Sequence, residues 1–221
     1  MDQPADLPLS HVYLEPRQPG DGPDPAVVVL HGRGADERDL LPIARALPPT
    51  LATVSLQAPD PLMGGYTWYG LDLSGGGLHE SQPEPDGFRQ SLDRATASIE
   101  GAVDGYDLDP DRLGLLGFSQ GAIMTLSMLL EAPERYAWIA ALHGYLAAVH
   151  TDLAPDGLAG KPVFVGAGTV DQLIPVERAE AAASRLRELG CDVTFETFPV
   201  GHGVAQGELD ALVAFVEGVL D

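Results

Sequence analysis

Short, strongly apolar runs alternate with amphipathic stretches along almost the whole chain, and this alternation restricts the fold more than any other feature. The runs cover residues 11–15, 26–30, 53–57, 113–117, 137–143, 162–166 and 193–198. Several of them, AVVVL, LGLL and AWIAAL among them, are apolar at consecutive positions. A strand covered by helices on both faces reads this way, whereas a half-exposed strand alternates with period two. Between the runs, Phe88, Leu92, Ala95, Ile99 and Ala102 recur at three and four residues, the stripe of an amphipathic helix. Residues 176–189 predict another helix, ended by Gly190, and Leu209, Leu212, Val213, Val216 and Leu220 mark a last one. Residues 121–130 are apolar on nearly every side and predict a helix deep in the domain. The pattern is that of the α/β class: a mostly parallel central sheet with right-handed crossovers and helices on both faces. Turn chemistry in PGDGPDP joins the first two strands and predicts an antiparallel hairpin at the sheet edge.

A chain of 221 residues fits one domain, and neither an internal repeat nor a linker divides it. The expected organisation is a loose tail over residues 1–10 and a single domain over residues 11–221. The tail, MDQPADLPLS, has neither the basic start nor the apolar stretch of a signal peptide, and no apolar run approaches the length of a membrane span. Cys191 stands alone, which suits a reducing cytosol, so the expected location is cytoplasmic.

The charge is unusual. Thirty-three acidic residues face 12 basic ones, Lys161 is the sole lysine, and the net charge is −21. Such a surface repels phosphate backbones, which argues against nucleic-acid partners. The near-absence of lysine beside so many carboxylates exceeds what solubility requires and points to adaptation to a salt-rich cytosol. At 1 M salt the Debye length shrinks to ~3 Å and self-repulsion is relieved. Thermal stability is therefore expected to climb steeply from low salt to molar KCl; a flat melting profile would end the idea.

The chemistry centres on Gly117-Phe118-Ser119-Gln120-Gly121, which follows an apolar strand and precedes an apolar helix. In that context G-x-S-x-G lifts a serine hydroxyl above the sheet on a sharp strand-to-helix turn, with small neighbours to avoid clashes. A serine needs a base, and the base an orienting carboxylate, in the chain order Ser, Asp or Glu, His. Asp171 lies in GTVDQLIP just past a later strand, and His202 lies in PVGHGV just ahead of the last helix. His143 and His150 follow an earlier strand, out of that order. His11 and His79 belong to an edge strand and a flexible loop, and Asp156 precedes its strand instead of following it. The oxyanion hole is expected from the backbone N–H groups of Gln120 and Arg33, the latter in LHGRG after AVVVL, with His31 bracing the loop. Residues 60–87, rich in glycine and proline, form a long loop of the kind that carries function. With no large insertion to build a cap domain, the cleft is expected to be shallow and bordered by Met63, Trp68, Tyr69, Tyr145 and Leu173. No His, Cys or carboxylate cluster shows metal-ligand spacing, so no metal is expected.

LHGRGADERDLLPIARAL, LDPDRLGLLGFSQGA, GTVDQLIP and GHGV, in that order, resemble the phospholipase/carboxylesterase family of α/β-hydrolases, which includes acyl-protein thioesterases. The resemblance runs from about residue 26 to the C-terminus. It implies the α/β-hydrolase fold, no cofactor, and often a homodimer. The family's serine, aspartate and histidine fall on Ser119, Asp171 and His202, and its oxyanion amides on Arg33 and Gln120. Arg33 stands where the thioesterase members usually carry leucine.

The resulting expectation is a serine carboxylesterase acting on small to medium esters through an acyl-enzyme. An acyl-protein thioesterase or lysophospholipase, or a non-catalytic binding protein of the same fold, is the alternative. A peptidase of this fold usually carries extra gating domains, and a dienelactone hydrolase would have cysteine at position 119.

Overall fold

The computed structural model describes residues 5–220. Its elements, in chain order, are β1 (His11–Leu14), β2 (Asp24–Leu30), α1 (Leu41–Ala46), β3 (Ala52–Leu56), β4 (Asp60–Leu62), β5 (Gly65–Thr67), β6 (Leu71–Asp72) and β7 (Gln82–Pro83). There follow α2 (Pro85–Gly105), β8 (Leu108–Phe118), α3 (Gln120–Glu131), β9 (Trp138–Leu142), β10 (Pro162–Gly168), α4 (Val176–Glu188), β11 (Asp192–Phe198) and α5 (Gln206–Leu220). A seven-stranded sheet runs in the order β1-β3-β2-β8-β9-β10-β11. Only β1 is antiparallel to its neighbour. Among the described residues no large cap covers this mostly parallel sheet.

The consecutive apolar residues of the central strands divide between its two faces. Val28 and Leu30 of β2, with Leu115 of β8 and Ile139 of β9, pack on the side of α2, α3 and α4. Val27, Val29, Leu116 and Ala140 pack on the other, against Ala44 of α1 and Leu212 and Val216 of α5. α3 is buried from Gln120 to Leu130, as its all-round apolar sequence requires.

Four local readings change. The predicted β1–β2 hairpin does not form, because β3 lies between them and pairs β1 antiparallel. The residues of β2 from Pro25 to Leu30 are fully covered, which calls for a partner on each side, and β3 and β8 supply these in parallel. Residues 15–23 instead form a largely exposed connection. The tail is loose only in part: Leu9 is buried, its N–H donates to Ser98 Oγ at 3.1 Å, and the Ala5 N–H reaches Tyr106 Oη. Residues 1–4 of it lie outside the described residues. The glycine-rich segment is folded into two small antiparallel pairs, β4–β5 and β6–β7. Finally, α2 starts at Pro85, where Glu84 caps it by accepting from the Asp86 and Gly87 amides, and the short α1, absent from the expected elements, carries Leu40, Ile43, Ala44 and Leu47 at helical spacing. Among the described residues, no helix is long and apolar enough to cross a membrane.

Candidate active site

The strand-to-helix turn between β8 and α3 holds Ser119 at φ 55° and ψ −116°, a left-handed backbone that costs a non-glycine residue about 1–3 kcal/mol. Its neighbours pin it there. The Ser119 amide donates to Leu142 O of β9 at 2.9 Å, and its carbonyl accepts from Ile123 N–H at 3.1 Å. The two flanking glycines are forced by contact: a Cβ on Gly117 would lie 2.2 Å from Gly121 O, and one on Gly121 would lie 1.9 Å from Leu30 O.

Above the carboxyl ends of the strands, three side chains from separate loops meet. Ser119 Oγ lies 2.9 Å from His202 Nε2, and His202 Nδ1 lies 2.7 Å from Asp171 Oδ2. Asp171, in the turn after β10, is turned by its own backbone: Oδ1 accepts from the Leu173 and Ile174 amides at 2.8 and 3.0 Å. Burial alone would push its pKa up. Hydrogen bonds from His143, His202 and those two amides outweigh it and hold the carboxyl below the ordinary aspartate range.

Beside Ser119 runs the loop after β2. His31 is buried; its Nε2 accepts the Ala58 amide at 3.0 Å, so the proton sits on Nδ1 and donates to Gly32 O at 2.7 Å. Burial pushes the His31 pKa down, in keeping with a neutral ring that braces this loop. Arg33 and Gln120 both border the cavity at Ser119. Among the described residues the Arg33 amide has no acceptor within the protein, and the Gln120 amide heads α3, where first-turn N–H groups lack helical partners.

That cavity measures about 300 Å³ and has a mostly apolar lining that includes Leu71, Leu78, Phe118, Ile123, Tyr145 and Leu173. Tyr145 and Leu173 thus border it as expected. Met63, Trp68 and Tyr69 do not. Met63 sits at the tip of the β4–β5 turn, 96% exposed. Trp68 and Tyr69 are core residues, 0% and 1% exposed. The cause is Gln120, whose side chain accepts from Thr67 Oγ1 (2.9 Å) and the Trp68 amide (3.2 Å) and donates to Tyr69 O (3.0 Å). The Trp68 indole N–H donates in turn to His31 O at 2.8 Å. The residue after the serine therefore ties the glycine-rich segment and the β2 loop into one frame.

Two residues escaped the sequence reading. His143, set aside for its place in the chain order, approaches Asp171 Oδ2 through Nδ1 at 3.0 Å and Glu208 Oε2 through Nε2 at 3.1 Å. Glu208 lies on the buried stripe of α5, one turn before Leu212 and two before Val216. A carboxylate at that helical spacing was the signal available. Donor atoms of His143, Asp171 and His202 fall within 4.8 Å of one another, a grouping invisible in the linear spacing. Those atoms are already hydrogen-bonded among themselves.

The sequence profile of phospholipases and carboxylesterases matches residues 13–220. This chain belongs to the phospholipase/carboxylesterase family. The family's members are hydrolases that act on esters. Acyl-protein thioesterase 1 of Neurospora crassa is 30% identical over 182 residues, 80% of this chain and 71% of the relative. A putative hydrolase of Bacillus subtilis, MhqD, is 28% identical over 91% of this chain and 94% of its own length. Among solved structures, esterase PE8 aligns with a TM-score of 0.82 and 29% identity over 96% of this chain and 99% of that one. The Bacillus cereus carboxylesterase aligns at 0.83 and 23% identity over 96% and 94%, a likeness of fold.

Proposed function

We propose that this member of the phospholipase/carboxylesterase family is a serine carboxylesterase that hydrolyses small to medium esters through an acyl-enzyme. The observation that carries the reading is the unbroken chain of hydrogen bonds from Ser119 Oγ through His202 to Asp171, at 2.9 and 2.7 Å. In the proposed reaction His202 Nε2 takes the Ser119 proton as the oxygen attacks the ester carbonyl. Asp171 holds the Nδ1–H tautomer and stabilises the imidazolium that forms. The tetrahedral oxyanion accepts hydrogen bonds from the Arg33 and Gln120 amides, each worth ~10²–10³ in turnover. His202 then protonates the leaving alcohol, and water repeats the sequence to free the acid.

Substrate size follows from the cavity. At about 300 Å³, its volume is near the lower end for small-molecule sites, and its apolar lining suits a short acyl or aryl group. With nitrophenyl esters, kcat/KM is expected to peak between butyrate and octanoate and fall about tenfold by palmitate. The kinship with Acyl-protein thioesterase 1 supports a second reading, thioester or lysophospholipid cleavage. Faster turnover of a palmitoyl thioester than of butyrate esters would put that reading first.

A further inference from the structure

The hydrogen bonds around Asp171 continue beyond the residues that the proposed reaction uses. A carboxylate offers about four lone-pair directions. Two backbone amides fill Oδ1, and His202 and His143 share Oδ2. His143 therefore supplies the bond that completes the set. Behind it stands Glu208, fully buried, with Oε2 at 3.1 Å from the other ring nitrogen. The backbone makes room for both side chains, and among the described residues Glu208 Oε1 has no hydrogen-bond partner. His143 directly follows β9 at a left-handed φ of 53°, with its amide donating to Gly166 O at 2.8 Å. At Gly166 a Cβ would lie 2.3 Å from Glu208 Oε1, so this strand position leaves room for the carboxyl.

Proton counting then constrains the pair. A neutral imidazole has a single N–H and cannot donate to carboxylates on both sides; an imidazolium can, whereas a protonated Glu208 donating to the ring would leave it with one N–H. A buried carboxylate without a cationic partner is also strongly disfavoured. We propose that Glu208 and His143 are positioning residues: Glu208 keeps His143 as an imidazolium, and this cation clamps the Asp171 carboxylate in the orientation that His202 needs. The proposal rests on the reading of Ser119, His202 and Asp171 as the reacting set. Burial pushes the His143 pKa down, but the hydrogen bonds to Glu208 and Asp171 outweigh it and hold the ring above the ordinary histidine range. The titratable groups facing the ring are Asp171 from the β10–α4 loop, Glu208 from α5, and His202 from the β11–α5 loop, whose ring lies edge-on with centroids 5.7 Å apart. Phe118 of β8 packs against it without charge.

The test has two arms. The first needs no variant: with ¹⁵N-labelled histidine, wild-type His143 should show two slowly exchanging ring N–H protons and no titration across neutral pH. Glu208→Gln, of the same shape, should leave one. The second is kinetic. Glu208→Gln should lower kcat about tenfold while KM stays within about twofold. In that variant the ring beside His202 loses its positive charge, an effect closer to His202 than the loss of the Glu208 charge behind it, so the acid limb of the kcat/KM profile should move to higher pH. A packing role alone would leave that limb where it is. One ring N–H on wild-type His143, or an unmoved acid limb in Glu208→Gln, overturns the clamp while leaving the esterase reading intact. Full activity in Ser119→Ala overturns both, even with the two-proton signature present.

Discussion

Ser119→Ala is expected to lower kcat for nitrophenyl butyrate by about 10⁶-fold, with the fold intact. The size of the loss follows from what the hydroxyl alone does. Ser119 Oγ is bonded to His202 Nε2 at 2.9 Å, and covalent attack by that oxygen has no substitute once it is gone. The backbone bonds that hold the turn, Ser119 N–H to Leu142 O and Ser119 O to Ile123 N–H, survive the substitution. Alanine carries the same penalty as serine at φ 55°, so the melting temperature should stay close to wild type. The Arg33 and Gln120 amides remain, so the residual rate should still exceed that of water by ~10³–10⁴. A fluorophosphonate probe should label the wild-type protein once and the variant not at all. Retained labelling, or activity above about 1% of wild type, would place the nucleophile elsewhere.

Much of this site was readable because its logic is local. The serine turn needs small residues on either side, and PVFVGAG and VTFETF are strands whose following loops must rise over the sheet. Once the strands are parallel, their carboxyl ends gather on one edge, and the loops carrying Asp171 and His202 arrive together. What escaped depends on contacts between distant segments. Turn residues after β1 say that the chain reverses there, but which strand fills the place beside it is decided by the burial of β2 on both sides. Trp68 and Tyr69 sit in a glycine-rich stretch with no periodicity, and hydrogen bonds to the distant Gln120, His31 and Ser91 draw them into the core.

His143 shows a different gap. Chain order separates it from the reacting set, but β9 and β10 are neighbours, so the end of one strand lies beside the loop that ends the other. Space, not order, brings it to Asp171. Glu208 was more accessible, since a carboxylate repeating at four-residue intervals with Leu212 and Val216 on an amphipathic helix announces a buried charge that requires a partner. The apolar stripe of the sequence runs through Leu209, which is only partly buried.

The dependence of the site on backbone proximity leads to the second large effect. Gly121→Ala should destabilise the protein by about 3 kcal/mol or more, lowering the melting temperature by roughly 10 °C in a domain of this size. Intrinsic helix propensity argues the other way, since alanine exceeds glycine by ~1 kcal/mol inside a helix. Contact decides the sign. The new Cβ would lie 1.9 Å from Leu30 O, 2.5 Å from Leu30 C and 2.9 Å from His31 O, all backbone atoms of β2 and its loop. No rotamer change relieves that, so α3 must withdraw from β2, carrying the Ser119 turn and Gln120 with it. The bonds from Gln120 to Thr67, Trp68 and Tyr69 would stretch together, and activity should fall more steeply than stability. Gly218→Ala is the matched control: it lies in α5 with no atom within 4 Å of a new Cβ, and should gain up to about 1 kcal/mol. Equal melting temperatures for the two variants would mean that the helix is not seated on β2 as described.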